Sequence, residues 1–159
     1  MSSNGRFGHG MDQIYLDVCC LNRPFDDQTQ ERIRLEAEAV LLVLAQCQSH
    51  RLQLIGSEVV DYEISLIPEK EKRQKVLLLA TLTASRVIVT EEIENRVTKL
   101  ANLGFKTFDA LHLACAEEGA ADILLTTDDR FLSAAKRNAC MLKIRVENPV
   151  IWLIGNEGR

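Results

Sequence analysis

The chain predicts an α/β fold, a three-layer α/β/α sandwich around a central, mostly parallel five-stranded sheet, and three observations carry that expectation. Short apolar segments rich in β-formers alternate with amphipathic helical segments along the length. Capping and turn residues fall at the joints between them. No repeat, low-complexity tract or linker interrupts the alternation, and the economical packing of such an order places helices on both faces of a parallel sheet.

Residues 13–18 (QIYLDV) read as a buried first strand ending at an acid, followed by a loop marked by Asn22, Pro24, Asp26 and Asp27. Ile33, Ala37, Val40, Leu41 and Leu44 recur at helical spacing and predict a long helix over 31–47. Residues 52–55 form the second strand. Gly56 breaks it, and Ser57 caps a helix whose inner face carries Val60, Glu63, Ile64 and Ile67 before Pro68 ends it. The charged run PEKEKRQK leads into a helix through Val76, Leu79, Ala80 and Leu82, with a β-branched strand at 86–89 after it. Thr90 caps the next helix, Glu91 and Glu92 lie in its first turn where the dipole favours them, and Gly104 ends it. A further helix opens near Thr107 and closes at Gly119. Residues 123–126 make the fourth strand, 129–137 a helix, and 142–146 the fifth strand before Asn148-Pro149.

The length suits one domain, expected over residues 11–159, and a 47% hydrophobic content is enough for a core without disulfides. Residues 1–10 (MSSNGRFGHG) are expected to be a disordered extension or an expression remnant, and His9 is given no role. A net charge of -4 argues against holding nucleic acid by bulk charge, while leaving room for a local basic rim. The five cysteines show no CxxC pairing of the kind that binds zinc or does redox work, and read as reduced thiols. Cys19 and Cys20 have apolar neighbours and no basic partner, a setting that raises a thiol pKa, so both read as packing residues. No apolar run reaches the roughly 18 to 20 residues of a membrane span, and the start lacks the apolar core of a signal peptide. A cytoplasmic location is the expectation.

Four acids stand where a strand should end or a helix begin: Asp17, Glu63, Asp109 and Asp128. In a parallel α/β fold such positions gather outside the C-terminal ends of the strands. Two unit charges about 5 Å apart repel by roughly 3 kcal/mol at an effective dielectric near 20, so a shared pocket calls for protonation or a divalent cation. Oxygen donors select Mg²⁺ or Mn²⁺, and the common use of those ions in an open acidic pocket is phosphate chemistry. Each acid also has a plainer role: Asp17 a turn or cap, Glu63 a partner for a buried arginine, Asp109 a favourable charge in a first helical turn. Asp128 reads as the ligand and Asp129 as the helix cap. Thr126 either orients a ligand or bonds the backbone. His112, three residues after Asp109, is positioned for an Asp-His contact but reads as a packed structural histidine. Asp122 sits at the wrong end of its strand, and Asp26, Asp27 and Asp61 read as solvated charges. Arg23, Arg130 and Lys106 lie close to the acids in sequence and are candidates to meet a polyanion.

These patterns, in this order, resemble the PIN domains, and within them the VapC-type toxin ribonucleases of toxin-antitoxin pairs. The resemblance spans nearly all of residues 13–147. It rests on a strand ending in Asp17, Ser57 six residues before Glu63, FDALHLA around Asp109, and the TxDxxF of Thr126, Asp128 and Phe131. It implies a metal-dependent endoribonuclease in which the four acids hold one or two Mg²⁺ or Mn²⁺ ions and water cleaves RNA to leave a 5′-phosphate and a 3′-hydroxyl. It also implies homodimerisation and a cognate antitoxin. One departure stands out: Cys19 occupies a position where the family often has Asn, Ser or Thr. That departure suits the alternative of a degenerate PIN scaffold that binds RNA or a partner without cutting. A phosphotransfer receiver domain fits less well, because its phosphoacceptor follows a middle strand, and a haloacid-type phosphohydrolase lacks its second acid at Cys19.

Overall fold

A computed structural model describes residues 12–157, so the expected N-terminal extension lies outside the described residues. Five strands, β1 (Asp12–Leu16), β2 (Leu52–Ser57), β3 (Thr83–Val87), β4 (Ile123–Leu125) and β5 (Arg145–Glu147), form one sheet in the order β3-β2-β1-β4-β5. Every pairing is parallel. Among the described residues eight α-helices flank it: α1 (Val18–Asn22), α2 (Glu31–Gln48), α3 (Glu58–Ser65), α4 (Lys70–Ala80), α5 (Glu91–Asn102), α6 (Thr107–Glu118), α7 (Asp129–Arg137) and α8 (Pro149–Glu157). The architecture is the three-layer sandwich the alternation predicts.

The chain runs outward from β1 through β2 to β3, then returns to the other side of β1 with β4 and β5. The reversal leaves a crevice between the C-terminal ends of β1 and β4, the place where open parallel sheets bind ligands. Leu16 pairs with Leu125, and the Asp17 amide donates to the Leu125 carbonyl at 3.3 Å, so the residues that leave these two strands start side by side. Ile14, Tyr15, Leu16, Leu124 and Leu125 are all buried, which anchors the floor of the crevice in the core.

Several boundaries differ from expectation for local physical reasons. The first strand ends at Leu16, because Asp17 caps α1 and turns the chain into a helix where a loop was expected. Gly56 lies inside β2. A Cβ there would meet the Thr83 methyl at 2.7 Å, so the missing side chain admits a neighbouring strand. β3 begins at Thr83 and ends at Val87; it is a largely exposed edge strand whose polar residues hide it from a hydrophobicity-led reading. β5 is Arg145–Glu147, later and shorter than the 142–146 apolar run. α8 was not anticipated: Pro149 starts it, Asn148 Oδ1 accepts from the Val150 amide at 2.8 Å, and Trp152 is buried. In α2, Leu41 is exposed and Glu36 is buried, since Glu36 accepts from Arg23, Arg32 and the Asn148 amide nitrogen.

Gly119 ends α6 against the sheet, where a Cβ would lie 2.8 Å from Val87 Cγ2, 3.1 Å from Ile55 Cγ2 and 3.3 Å from the Cys115 carbonyl oxygen. Gly119→Ala should therefore overpack two strands at once and lower stability by about 1–3 kcal/mol, read from the midpoint of a urea unfolding curve.

Candidate active site

The crevice is built from the first residues beyond β1 and β4 together with the start of α6. Asp17 is buried and caps α1, its Oδ1 accepting from the Cys20 amide at 3.2 Å and from the Cys19 thiol at 2.7 Å. Burial, and then the negative charge of Cys19, hold its carboxyl well above the usual carboxylate range. Cys19 bridges the two strand ends. Its sulfur lies 3.3 Å from Thr126 Oγ1 and accepts from the Thr127 hydroxyl at 3.1 Å and the Thr127 amide at 3.4 Å. Hydrogen bonding with Cys20 first, then with Asp17, Thr126 and Thr127, outweighs burial and draws the Cys19 thiol down to about 6. The packing-residue reading of Cys19 is thus corrected: its partners are polar, Asp17 close by and Thr126 and Thr127 just beyond β4. Cys20 does behave as expected, buried, donating to the Leu125 carbonyl, and pushed up by desolvation.

Asp109 lies in the first turn of α6 and is pushed up to about 6 by burial and then by the charges of Asp128 and Asp17, with Lys106 opposing. The three aspartates therefore share one electrostatic environment. Asp128 is the cap of α7, its Oδ1 accepting from the Arg130 and Phe131 amides at 2.9 and 3.3 Å. The expected division of labour between the adjacent aspartates is reversed as to the cap, because Asp128 has the extended backbone a cap requires. Asp129 is exposed in the first turn, and both its oxygens accept from Arg32, at 2.7 and 2.8 Å. Thr126 is fully buried; its hydroxyl accepts from the Asp128 amide at 3.1 Å and also bonds the Asp17 carboxyl, whose pKa it lowers, so it serves both the backbone and the acid.

Glu63 reaches the site through histidine. Its Oε1 lies 2.5 Å from His112 Nε2; His112 Nδ1 lies 2.7 Å from the Tyr15 hydroxyl, which lies 2.7 Å from Ser57 Oγ. Ser57 in turn caps α3 by accepting from the Val60 amide. Among the described residues Glu63 pairs with His112 and not with an arginine, and His112 acts on Asp109 through its charge without a hydrogen bond; a buried line across β2, β1, α6 and α3 holds it. Tyr15 was missed by the sequence reading, and its one signal was a hydroxyl-bearing residue inside an otherwise apolar strand.

Arg23 is committed elsewhere, to Glu36 at 2.8 Å and Asp26 at 3.1 Å. Asp26 also pairs with Lys72, and Asp61 pairs with Arg86, so neither is the simple solvated charge expected. Among the described residues, Asp17, Cys19 and Cys20 form the one group of three potential metal ligands whose atoms all lie within 4.8 Å of one another. The carboxylates of Asp17, Asp109 and Asp128 are spread more widely than that. Their donor set still suits a hard divalent ion, since repulsion and burial at Asp109 and Asp17 are what a bound cation relieves.

The profile described as PIN domain matches residues 14–137. No curated protein matches the chain. A solved structure described as VapBC2 from Rickettsia felis bound to a DNA fragment from their promoter superposes with a TM-score of 0.51 at 14% identity, covering 86% of this chain and 98% of that one. At that identity the likeness is one of fold.

Two outcomes follow from the charges. The partly exposed Cys19 becomes a thiolate as pH passes about 6, so peptide mapping after brief iodoacetamide treatment should show its alkylation rate rising through that pH, well below the range of an ordinary thiol. Asp109 holds a proton in the folded protein that the unfolded chain has released between its ordinary value of 3.8 and about 6. The folded state binds more protons there, so this group's contribution falls as pH rises through that window. Asp109→Asn should consequently raise stability at neutral pH, by roughly 1–2 kcal/mol after solvent screening, with the gain fading toward pH about 4 in urea unfolding.

Proposed function

The chain belongs to the PIN domain family, and on that footing we propose that it is a metal-dependent endoribonuclease of the VapC type, hydrolysing RNA phosphodiesters with water. The observation that carries the reading is the convergence of Asp17, Asp109 and Asp128 on the β1/β4 crevice, with Asp109 raised to about 6 by burial and then by the charges of the other two. Asp17, Asp109 and Asp128 would hold Mg²⁺ or Mn²⁺, and Glu63 would complete the set or orient the attacking water. A bound ion of that kind neutralises charge building on the phosphoryl oxygens and makes water a stronger nucleophile at neutral pH. The chain's own residues set the stage: α1 and α7 fix the carboxylates of Asp17 and Asp128 through their capping bonds, and His112 fixes Glu63. No protein nucleophile is called for, and the products are a 5′-phosphate and a 3′-hydroxyl.

The VapC resemblance, with the fold likeness to a chain of the VapBC2 complex, extends the proposal to a homodimer and to a small antitoxin as partner. Among the described residues no helix is long and apolar enough to cross a membrane. A second reading has one specific observation in its favour: Asp17 Oδ1 is already engaged by the Cys19 sulfur at 2.7 Å and by the Cys20 amide, which suits a scaffold that binds RNA without cutting it.

The two readings part on one assay. Purified protein with Mn²⁺ should cut single-stranded RNA, EDTA should stop it, and Asp17→Asn should lower the rate at least about 100-fold with the circular dichroism spectrum unchanged. RNA that stays bound and intact in Mn²⁺ would favour the scaffold, and cleavage indifferent to EDTA or to Asp17→Asn would remove the metal mechanism.

A further inference from the structure

We propose that a cleft of about 370 Å³ beside the acids, lined by Lys106, Arg130 and Arg137 with Asp109, Ser133 and the Arg32-paired Asp129 among them, is where the RNA backbone lies as it approaches the crevice. The assignment of RNA as occupant rests on the nuclease reading; the cleft and its charge do not.

The argument starts from which cations are already used. Arg23, Arg32, Lys72, Arg86 and Arg96 each pair with a carboxylate of the chain. On the α1 and α2 side of the crevice, Arg23 and Arg32 both close on the buried Glu36, so that side offers a phosphate no free guanidinium from this pair. Lys106, Arg130 and Arg137 are exposed, and among the described residues none of them makes an ion pair. Three cations without an ion pair on one side, of which Lys106 acts on Asp109 through its charge, and two paired ones on the other make the surroundings of the acids one-sided.

Stability does not account for the placement. Arg137 stands in the last turn of α7, where a positive charge complements the helix dipole, but Arg130 stands in the first turn of the same helix and Lys106 at the cap of α6. Both of these are helix N-termini, where the dipole disfavours a cation. Arg130 and Arg137 lie seven residues apart on one face, with Ser133 between them, spanning about 10 Å along the helix axis. That face meets Lys106 and Asp109 across the cleft. A row of cations ending at an acid suits a polyanion that is held along its length and presented to an ion at one end. A small anion would need only one of the three.

The test measures binding apart from cleavage. Wild-type protein in EDTA is titrated onto a fluorescein-labelled single-stranded oligoribonucleotide and followed by anisotropy at several salt concentrations. The same is done for the triple variant Lys106→Gln, Arg130→Gln, Arg137→Gln, and for a control of equal charge loss, Arg51→Gln, Lys70→Gln, Lys143→Gln, whose residues are also exposed. Thermal melts check that both variants are folded. The expected result is a loss of at least about tenfold for the cleft variant, a shallower salt slope by up to roughly 0.7 per contact, and near wild-type binding for the control. Equal losses in both variants would mean diffuse attraction and overturn the cleft. Unaltered RNA binding by the cleft variant, with loss of binding to a labelled polyglutamate peptide instead, would assign the cleft to an acidic protein segment and overturn the RNA occupant. Cleavage by wild-type protein in Mn²⁺ is scored separately. Selective loss of RNA binding without any cleavage keeps the cleft and removes the nuclease; cleavage with binding unchanged in the cleft variant does the reverse.

Discussion

The parallel pairing of β1 with β4 is the constraint on which the site depends. Because the chain runs out through β2 and β3 before returning to the other flank of β1, the two central strands end together although more than a hundred residues separate them. The Leu16 and Leu125 pairing sets Asp17 beside Thr126, and from there each element has one direction to go. The turn after β1 must become α1, capped by Asp17, and the turn after β4 must become α7, capped by Asp128. Two acids that any helix start would welcome are thereby brought to the same crevice, and α6 adds Asp109 in its own first turn. At Asp17 and Asp128, helix capping and the convergence on the crevice use the same side chains, whereas Asp109 makes no capping bond.

That economy has an electrostatic consequence. Capping favours the ionised form of Asp17 and Asp128, since amide hydrogens stabilise the charge, while burial and neighbouring negative charge ask the opposite. At Asp17 burial and the charge of Cys19 win, and at Asp109 burial and the charges of Asp128 and Asp17 do, so both stand above the usual range. Lys106 opposes the shift at Asp109 without undoing it. Arg23 and Arg32, on the α2 side, both close on Glu36, a buried carboxylate that also takes Asn148. Carboxylates whose charged form is disfavoured in this way gain most from a cation that is not part of the chain.

How much of this was legible in the sequence follows from the range of each interaction. Helices and the order of strands were readable because apolar periodicity, caps such as Ser57 and Thr90, and Gly119 act within one turn of the chain. The acids were readable for the same reason, as polar residues ending apolar runs. Which of Asp128 and Asp129 caps α7 was not readable, since both are good caps and only the backbone angle at Asp128 decides. β3 was misplaced because an edge strand buries little, so its sequence carries little of the pattern that marks a strand. The partners of Cys19 are Thr126 and Thr127, more than a hundred residues away, and no local rule distinguishes a thiol that meets hydroxyls from one that meets leucines.

The same limit hid the line from Ser57 to Glu63. Ser57 Oγ accepts from the Val60 amide and lies 2.7 Å from the Tyr15 hydroxyl, which lies 2.7 Å from His112 Nδ1. His112 Nε2 faces Glu63 Oε1, so each of these side chains meets its neighbour in the line. Removing the Tyr15 hydroxyl would leave the buried Ser57 and His112 short of a partner, at a cost of about 1–3 kcal/mol for each unmet group. Glu63 is thereby held by a partner whose position is fixed three residues deep in the fold. A carboxylate fixed before a ligand arrives needs no reordering when one does, and this is how a residue only partly shielded on α3 takes part in a rigid site.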